Sequence, residues 1–279
     1  MNMTYKTIPI KTEYIIPGEG YSKIIKGIIE VCENNDYIII SETPISTAEN
    51  NLVDESQYIP GILAYILTEL WGRYIWGYIL GPLLKYKKRT INNLRKMPPE
   101  ARVHKQFILE KYGLKHALQP TAEAGVDLSN VPGQYVSLLP ENPMKSAHKI
   151  QKNIKEICGK DVHIIIIDTD ATYEIHEKLF TTIPLSLNSI KNNTGIIGYF
   201  LKIFSKKVGP TILASTIKCN IYKLIELGTI AEKCQKENNE NFFETIYNMQ
   251  NVFDTDYNQI TNDMLKTVTH IPAVLIRFE

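Results

Sequence analysis

Two aspartates, about forty residues apart, stand in settings suited to metal and phosphate chemistry. Asp127 lies in the loop Ala124-Gly125-Val126-Asp127-Leu128-Ser129-Asn130, and Asp168 opens Asp168-Thr169-Asp170 directly after the apolar run Ile164-Ile165-Ile166-Ile167. A carboxylate at the end of a buried strand and another in a glycine-containing loop can together hold a hard divalent cation against phosphate oxygens. On that reading Asp127 and Asp168 are the anionic anchors, Thr169 adds an oxygen, and Asn130 donates to a phosphate or base. The same residues also suit a plainer reading, in which Asp127 closes an Asx-turn and Asp168 caps the segment after it. Spacing does not separate the two. Asp170 and Glu174 extend the acidic group, as tuning charges or as solvated ones. Of the six histidines, His176, eight residues past Asp168, is the best candidate. His104, His116, His148, His163 and His270 show no mutual ligand spacing, which argues against a zinc cluster.

These residues need elements to place them. Tyr5–Ile10 reads as a strand, with Pro9 near an edge. Ile24, Ile25, Ile28, Ile29 and Cys32 give Tyr21 to Cys32 one apolar helical side. Tyr37 to Ile40 reads as a short buried strand leading into a polar loop, Ser41 to Asp54. Lys11, Ser41, Glu42, Ser46 and Thr47, which follow these first two strands, are therefore candidate nucleotide contacts. Further helices are expected at Glu100–Tyr112, ended by Gly113, at Met144–Cys158, ended by Gly159, and at Ile221–Cys234. Helical pattern recurs after the Asn/Glu-rich link Lys236–Asn241, in Phe242–Met249 and near Gln259–Val268. Strands are expected at Tyr135–Leu139, Asp161–Ile167 and Ile271–Phe278. This alternation predicts a mixed α/β protein. A Rossmann G-x-G-x-x-G, a Walker A loop, a G-x-S-x-G elbow and H-E-x-x-H are all absent.

Composition narrows the function classes. The chain has 279 residues, with 31 Lys plus Arg against 30 Asp plus Glu. It therefore lacks the bulk positive field of a general nucleic-acid binder. Cys32, Cys158, Cys219 and Cys234 have no C-x-x-C spacing and read as core thiols in a reducing compartment, and the first residues lack a signal peptide's apolar core. A cytoplasmic protein is expected. Residues 58–96 form an aromatic and then basic helical insertion. Glu69 and Arg73, one helical turn apart, are placed to pair. Glycines, prolines and these two charges interrupt its apolar run, so it reads as a buried or dimer-facing helix, with peripheral membrane contact as the lesser alternative.

The segment Ala124–Gly133, followed by Val136-Ser137-Leu138-Leu139-Pro140, resembles the central signature of the coenzyme F420-0:L-glutamate ligase (gamma-glutamyl ligase) family. Asp168-Thr169 after its apolar strand resembles the second signature. Ile8-Pro9-Ile10-Lys11 near the start and Ile271 to Arg277 near the end also fit, so the likeness runs over nearly the whole chain. It implies one unit over residues 1–279, two-lobed, forming a homodimer through intertwined β structure. It also implies a GTP-dependent (or ATP-dependent) ligase that uses Mg2+ or Mn2+ to join glutamate to the F420-0 tail through an acyl phosphate. Carried over, Asp127 and Asp168 are catalytic, and Asp127, Asp168 and Thr169 ligate metal. Ile8, Pro9, Ile10, Lys11, Ser41, Glu42, Thr47 and Asn130 border the nucleotide.

The departures are specific. Where the family has a lysine-bearing loop after its second strand, this chain reads Ser41-Glu42-Thr43-Pro44-Ile45-Ser46-Thr47-Ala48-Glu49, and both lysine positions are lost. The family's Asp-Thr-Phe-Gly-Arg run is Asp168-Thr169-Asp170-Ala171-Thr172 here, without its cation. The Trp71/Trp76 insertion and the segment Val208–Thr216 resemble an archaeal branch of ligase-like proteins. Metal-binding acids are kept while phosphate-binding bases change. This points to a related ligase with another acceptor, a phosphoryl-transfer or hydrolase enzyme, or a non-catalytic nucleotide or cofactor binder.

Overall fold

The computed structural model describes residues 4–238 and 246–279. Its centre is a mixed sheet in which β1 (Tyr5–Thr12), β8 (His270–Phe278), β2 (Tyr37–Ser41), β5 (His163–Ile175) and β6 (Lys178–Phe180) lie side by side in that order. Strand β7 (Lys206–Ser215) pairs with β5 as well. A separate pair, β3 (Leu52–Asp54) with β4 (Tyr135–Ser137), is antiparallel. The mixed α/β class expected from the sequence is the class observed.

The isoleucine runs form strands because both faces of the sheet are covered. Ile38, Ile40, Ile164 and Ile166 point into one core, where Ile24 and Ile28 of helix α1 (Ser22–Ile29) and Ile150 and Ile154 of the Pro143–Cys158 helix meet them. Ile39, Ile165 and Ile167 point the other way, onto Leu224, Ile225 and Ala231 of the Ile221–Asn238 helix. A period of two thus gives two cores from each run. The Pro143–Cys158 helix ends on Gly159 at φ +73, a left-handed conformation that glycine adopts without penalty. At the far end of the sheet, Arg277 donates to Asp36 Oδ1 and Oδ2 at 2.9 and 2.7 Å, tying β8 to the turn before β2.

Three expectations change. The segment after β2 is not a polar loop throughout: Glu42–Ala48 is helix α2, with Pro44 in the first turn, where its missing N–H costs nothing. Strand β5 does not stop at Ile167 but runs to Ile175, because β7 continues to pair with it, so Asp168 lies within a strand. The insertion is not buried all round. Its α-helical start, Ile62–Tyr65, continues through Ile66–Leu80 wound with i→i+5 bonds, a rare winding at this length. Gly72 and Gly77, five apart, lie against Met97 and the Lys88–Arg95 helix, and a Cβ on either would come within 2.9 and 3.1 Å of Met97 Cε and Arg95 Cγ. Trp76 is fully buried, while residues four apart along the other side face solvent. Glu69 pairs with Arg73 as expected, and also accepts from Arg102 at 2.6 Å. Of the expected Phe242–Met249 helix, residues 242–245 lie outside the described residues, as do 239–241 of the preceding link; a helix is present at Ile246–Phe253.

Loop 119–133 is anchored from below. Lys105, 1% exposed on the Ala101–Tyr112 helix, donates to Ala117 O at 2.8 Å and Gln119 O at 2.7 Å, and pairs with Glu123 at 2.8 Å. Breaking a buried pair leaves an uncompensated charge, so Lys105→Met should lower stability by about 3–5 kcal/mol. Adding Glu123→Leu should restore much of that loss. Urea unfolding of the two variants reads both effects; equal losses would remove the anchoring role.

Candidate functional site

Strands β2 and β5 are parallel, with Ser41 beside Ile167. The residues that leave this pair, Glu42 and Asp168, are therefore delivered together at the carboxyl ends of the strands, where open α/β sheets place their ligands. Between Asp168 and Ala171 the pairing with β7 slips, so that Asp168 faces Thr211 and Ala171 faces Pro210. Thr169 and Asp170 occupy the resulting bulge, a device that re-aims side chains beside active sites. Asp170 N donates back to Asp168 Oδ1 at 2.6 Å, and Thr211 Oγ1 holds Asp170 O at 2.6 Å. The loop carrying Asp127 is pinned to β4 by paired backbone bonds between Asp127 and Ser137 of 3.0 and 2.8 Å.

These elements wall a cavity of about 860 Å3, a size suited to a cofactor-scale ligand. Glu42, Asp127, Asp168, Thr169 and Asp170 line it, with Ser41, Thr47 and Asn130. Asp127 accepts from Ser129 N and Ser129 Oγ at 2.8 Å each, and from Thr43 Oγ1 at 3.2 Å. The Asx-turn is thus real, but it does not exclude a ligand role. Three donors leave a carboxylate with capacity for one more partner. Thr43 Oγ1 also lies 2.8 Å from Glu42 Oε1. One hydroxyl proton cannot serve two carboxylates, so this arrangement calls for a proton or cation on one of them. Glu42 Oε2 and Asp168 Oδ2 are buried with no hydrogen-bond partner.

Electrostatics says the same. Burial, and then the charge of Asp127, push the Glu42 carboxyl up to about 8. Burial and the charges of Glu42 and Asp170 raise Asp168 well above the usual carboxylate range, with a smaller contribution from Asp127. Burial brings Asp170 to about 6, with Lys202 and Lys207 pulling it back down. The acids therefore feel one another. Among the described residues no three His, Cys, Asp or Glu side chains form a ready-made metal cage. The donors that are present, all oxygen and two of them orphaned, fit a hard cation held by one or two carboxylates, with water and phosphate completing its shell. That is the habit of Mg2+.

The lining of the same cavity also carries Lys87, Lys202 and Lys207. Lys202 Nζ sits 3.1 Å from the Tyr199 ring centroid. Burial lowers its pKa to about 7, partly offset by Asp170. Neither Lys202 nor Lys207 was singled out in the sequence, since both lie far from either signature.

The remaining candidates fall in different places. Ile8, Pro9, Ile10 and Lys11 do not line the cavity; Ile8 to Ile10 pair along β1 with β8, Lys11 sits where that register shifts, and Ile10 is core. Tyr14 and Ile15, a few residues on, do line it. Thr47 Oγ1 bonds within its own helix, to Thr43 O at 2.8 Å, and Ser41 Oγ accepts from Gln235 at 3.0 Å. Glu174 accepts from Tyr222 at 2.5 Å, outside the cavity, and His176 occupies an exposed turn. His104 does reach the wall, with Nδ1 2.6 Å from Glu55.

A parallel strand end, a bulge and a glycine-containing loop converge acids on a ligand-sized cavity in a mixed α/β fold. Comparison with known proteins makes this specific. Residues 9–233 match the sequence model of the F420-0:Gamma-glutamyl ligase family, and the chain belongs to that family of ligases. It is 39% identical to an uncharacterised protein of Methanocaldococcus jannaschii over 98% of this chain and 97% of the other. It is 30% identical to the coenzyme F420:L-glutamate ligase of Methanopyrus kandleri over 60% of each chain, and 33% identical to that of M. jannaschii over 49% of each. The chain thus matches about half to three fifths of the length of those two ligases.

A carboxyl whose pKa is raised on folding stabilises the protein fully below its unfolded value, near 4, and that stability is lost as pH rises through the folded value. For Glu42 the loss spans roughly pH 4 to 8. Cation-free protein should therefore lose on the order of a few kcal/mol of unfolding free energy across this range. Glu42→Gln should flatten the curve. Urea unfolding at several pH values checks it, and an unchanged slope in the variant would contradict the coupling.

Proposed function

We propose that this protein is a divalent-metal- and GTP-dependent amide ligase that joins L-glutamate to coenzyme F420-0 or to a related phosphorylated carboxylate. The observation that carries this reading is the pair of orphaned buried oxygens, Glu42 Oε2 and Asp168 Oδ2, in a cavity whose lining also carries lysines. Acids and cations lining one cavity suit a ligand that brings both a metal and phosphates.

In this reading Asp127, Asp168 and Thr169 hold the cation, which would offset charge on the phosphoryl group being transferred. Ser41, Glu42, Thr47 and Asn130 border the nucleotide, without β1. The acceptor's carboxylate oxygen attacks the terminal phosphorus, the bond to the nucleoside diphosphate breaks, and an acyl phosphate forms. The uncharged amine of glutamate then attacks the acyl carbon, the bond to phosphate breaks, and the nitrogen sheds a proton to leave an amide. Lys202 and Lys207 take over, from other elements, the cationic duty of the two family lysines lost in α2. Lys202 is suited to it because a desolvated ammonium gains more from a phosphate than a hydrated one does.

The acceptor is the open part of the specificity. M. jannaschii has both a full-length relative of this chain and a separate coenzyme F420:L-glutamate ligase that aligns over half of it. This supports a branch whose acceptor is related to F420-0 rather than a duplicate of the same enzyme. The homodimer implied by the family likeness belongs to the same proposal.

Phosphate release from GTP should require glutamate and an acceptor together, and Asp168→Asn should slow it by at least about 100-fold. GTP loss without an amine would indicate a hydrolase instead, and tight GTP binding without turnover a binder. Mn2+ should raise the melting temperature of the wild-type protein and leave that of Asp168→Asn unmoved. Equal shifts in both would remove Asp168 from the cation site.

A further inference from the structure

The insertion carries a large exposed apolar stripe that the proposed chemistry does not use. Ile62, Ile66, Leu70, Tyr74 and Tyr78, spaced four apart, all face solvent; Ile62 is 81% exposed. Ile59 at 87% and Leu83 at 72% extend the stripe at its two ends. A second exposed apolar group packs on the insertion through Trp76: the ring of Phe200 lies 5.7 Å from that of Trp76, and Leu201, Ile203 and Phe204 follow it, Phe204 being 78% exposed. Exposed apolar surface on this scale marks an interaction site.

Charge selects the occupant. Residues 58–96 hold seven Lys and Arg against a single acid, and 195–207 hold three Lys and no acid. That one acid, Glu69, is buried and already paired with Arg73 and Arg102. The chain as a whole carries only +1, so these two segments hold a larger positive excess than the whole chain does. A second copy of the same face would bring no counter-charge to it. An anionic lipid surface would, and Ile, Leu and Phe with interleaved Tyr and flanking Lys are the chemistry of a helix lying in a bilayer interface. Among the described residues no helix is long and apolar enough to cross a membrane. We propose that the outer face of the insertion, together with Phe200–Phe204, docks the protein peripherally on an anionic lipid surface. Tyr86 and Lys87 of the same insertion line the cavity, so docking sets the cavity wall beside that surface. The inference does not depend on which reaction the site performs.

Co-flotation of the full-length protein with lipid vesicles tests it. The protein should rise with phosphatidylglycerol vesicles at low salt, and at least about tenfold less with phosphatidylcholine or at high salt. The Ile62→Ser/Leu70→Ser/Leu83→Ser variant should stay at the bottom with either lipid. So should Lys85→Glu/Lys88→Glu/Lys206→Glu, which alters only exposed charges outside the cavity lining and decides the matter should the serine variant misfold. Protein that ignores both lipids, or that binds both equally at any salt, overturns the proposal. So does self-association in sedimentation that Leu70→Ser abolishes without any lipid binding, which would assign the stripe to a second copy of the chain.

Discussion

Glu42 and Asp168 are buried, each with one carboxylate oxygen that no donor meets, and the half-buried Asp127 and Asp170 beside them raise the cost of ionising both. A fold tolerates such a cluster only when its surroundings are stable enough to absorb the cost, and strain of this kind collects at functional sites. Here the surroundings are the parallel pairing of β2 and β5, buried on both faces, which fixes where Glu42 and Asp168 emerge. A one-residue slip in that register would turn side chains to the opposite face of the sheet and mismatch the isoleucines with the two cores.

The other components of the site come from separate parts of the chain. Asp127 depends on a loop tied to β4 and supported by the Lys105–Glu123 pair. Asp170 depends on a bulge set by β7. Lys202 and Lys207 come from the turn before β7 and from the strand itself. Asp127 and Asp168 line the same cavity as Lys202 and Lys207, so it holds both signs of charge although residues 41–49 contain no lysine. Charge balance across a cavity constrains the ligand more directly than which element bears each charge.

Much of this was legible in the sequence. Strands β2, β5 and β8 follow from isoleucine-rich runs, the Pro143–Cys158 helix from its apolar period and Gly159, and the Asp127 and Asp168 signatures from their residues. Glu42 was marked as a nucleotide neighbour rather than a member of the acid cluster, because its meeting with Asp168 depends on a pairing more than a hundred residues long in sequence. Lys202 and Lys207 were missed for the same reason. Ile8 to Lys11 carry part of the family likeness yet serve the β1–β8 pairing. The i→i+5 winding of the insertion could not be read either. Such winding is rare at this length, so an apolar run broken by glycines at 72 and 77 gives no reason to expect it.

The most direct test of the account is anomalous diffraction from crystals grown with Mn2+ and a non-hydrolysable GTP analogue. The account predicts one manganese bound to both Asp127 and Asp168, with phosphate oxygens completing its shell toward Lys202 and Lys207. Manganese bound elsewhere, with these two carboxylates engaged only by protein donors, would contradict it.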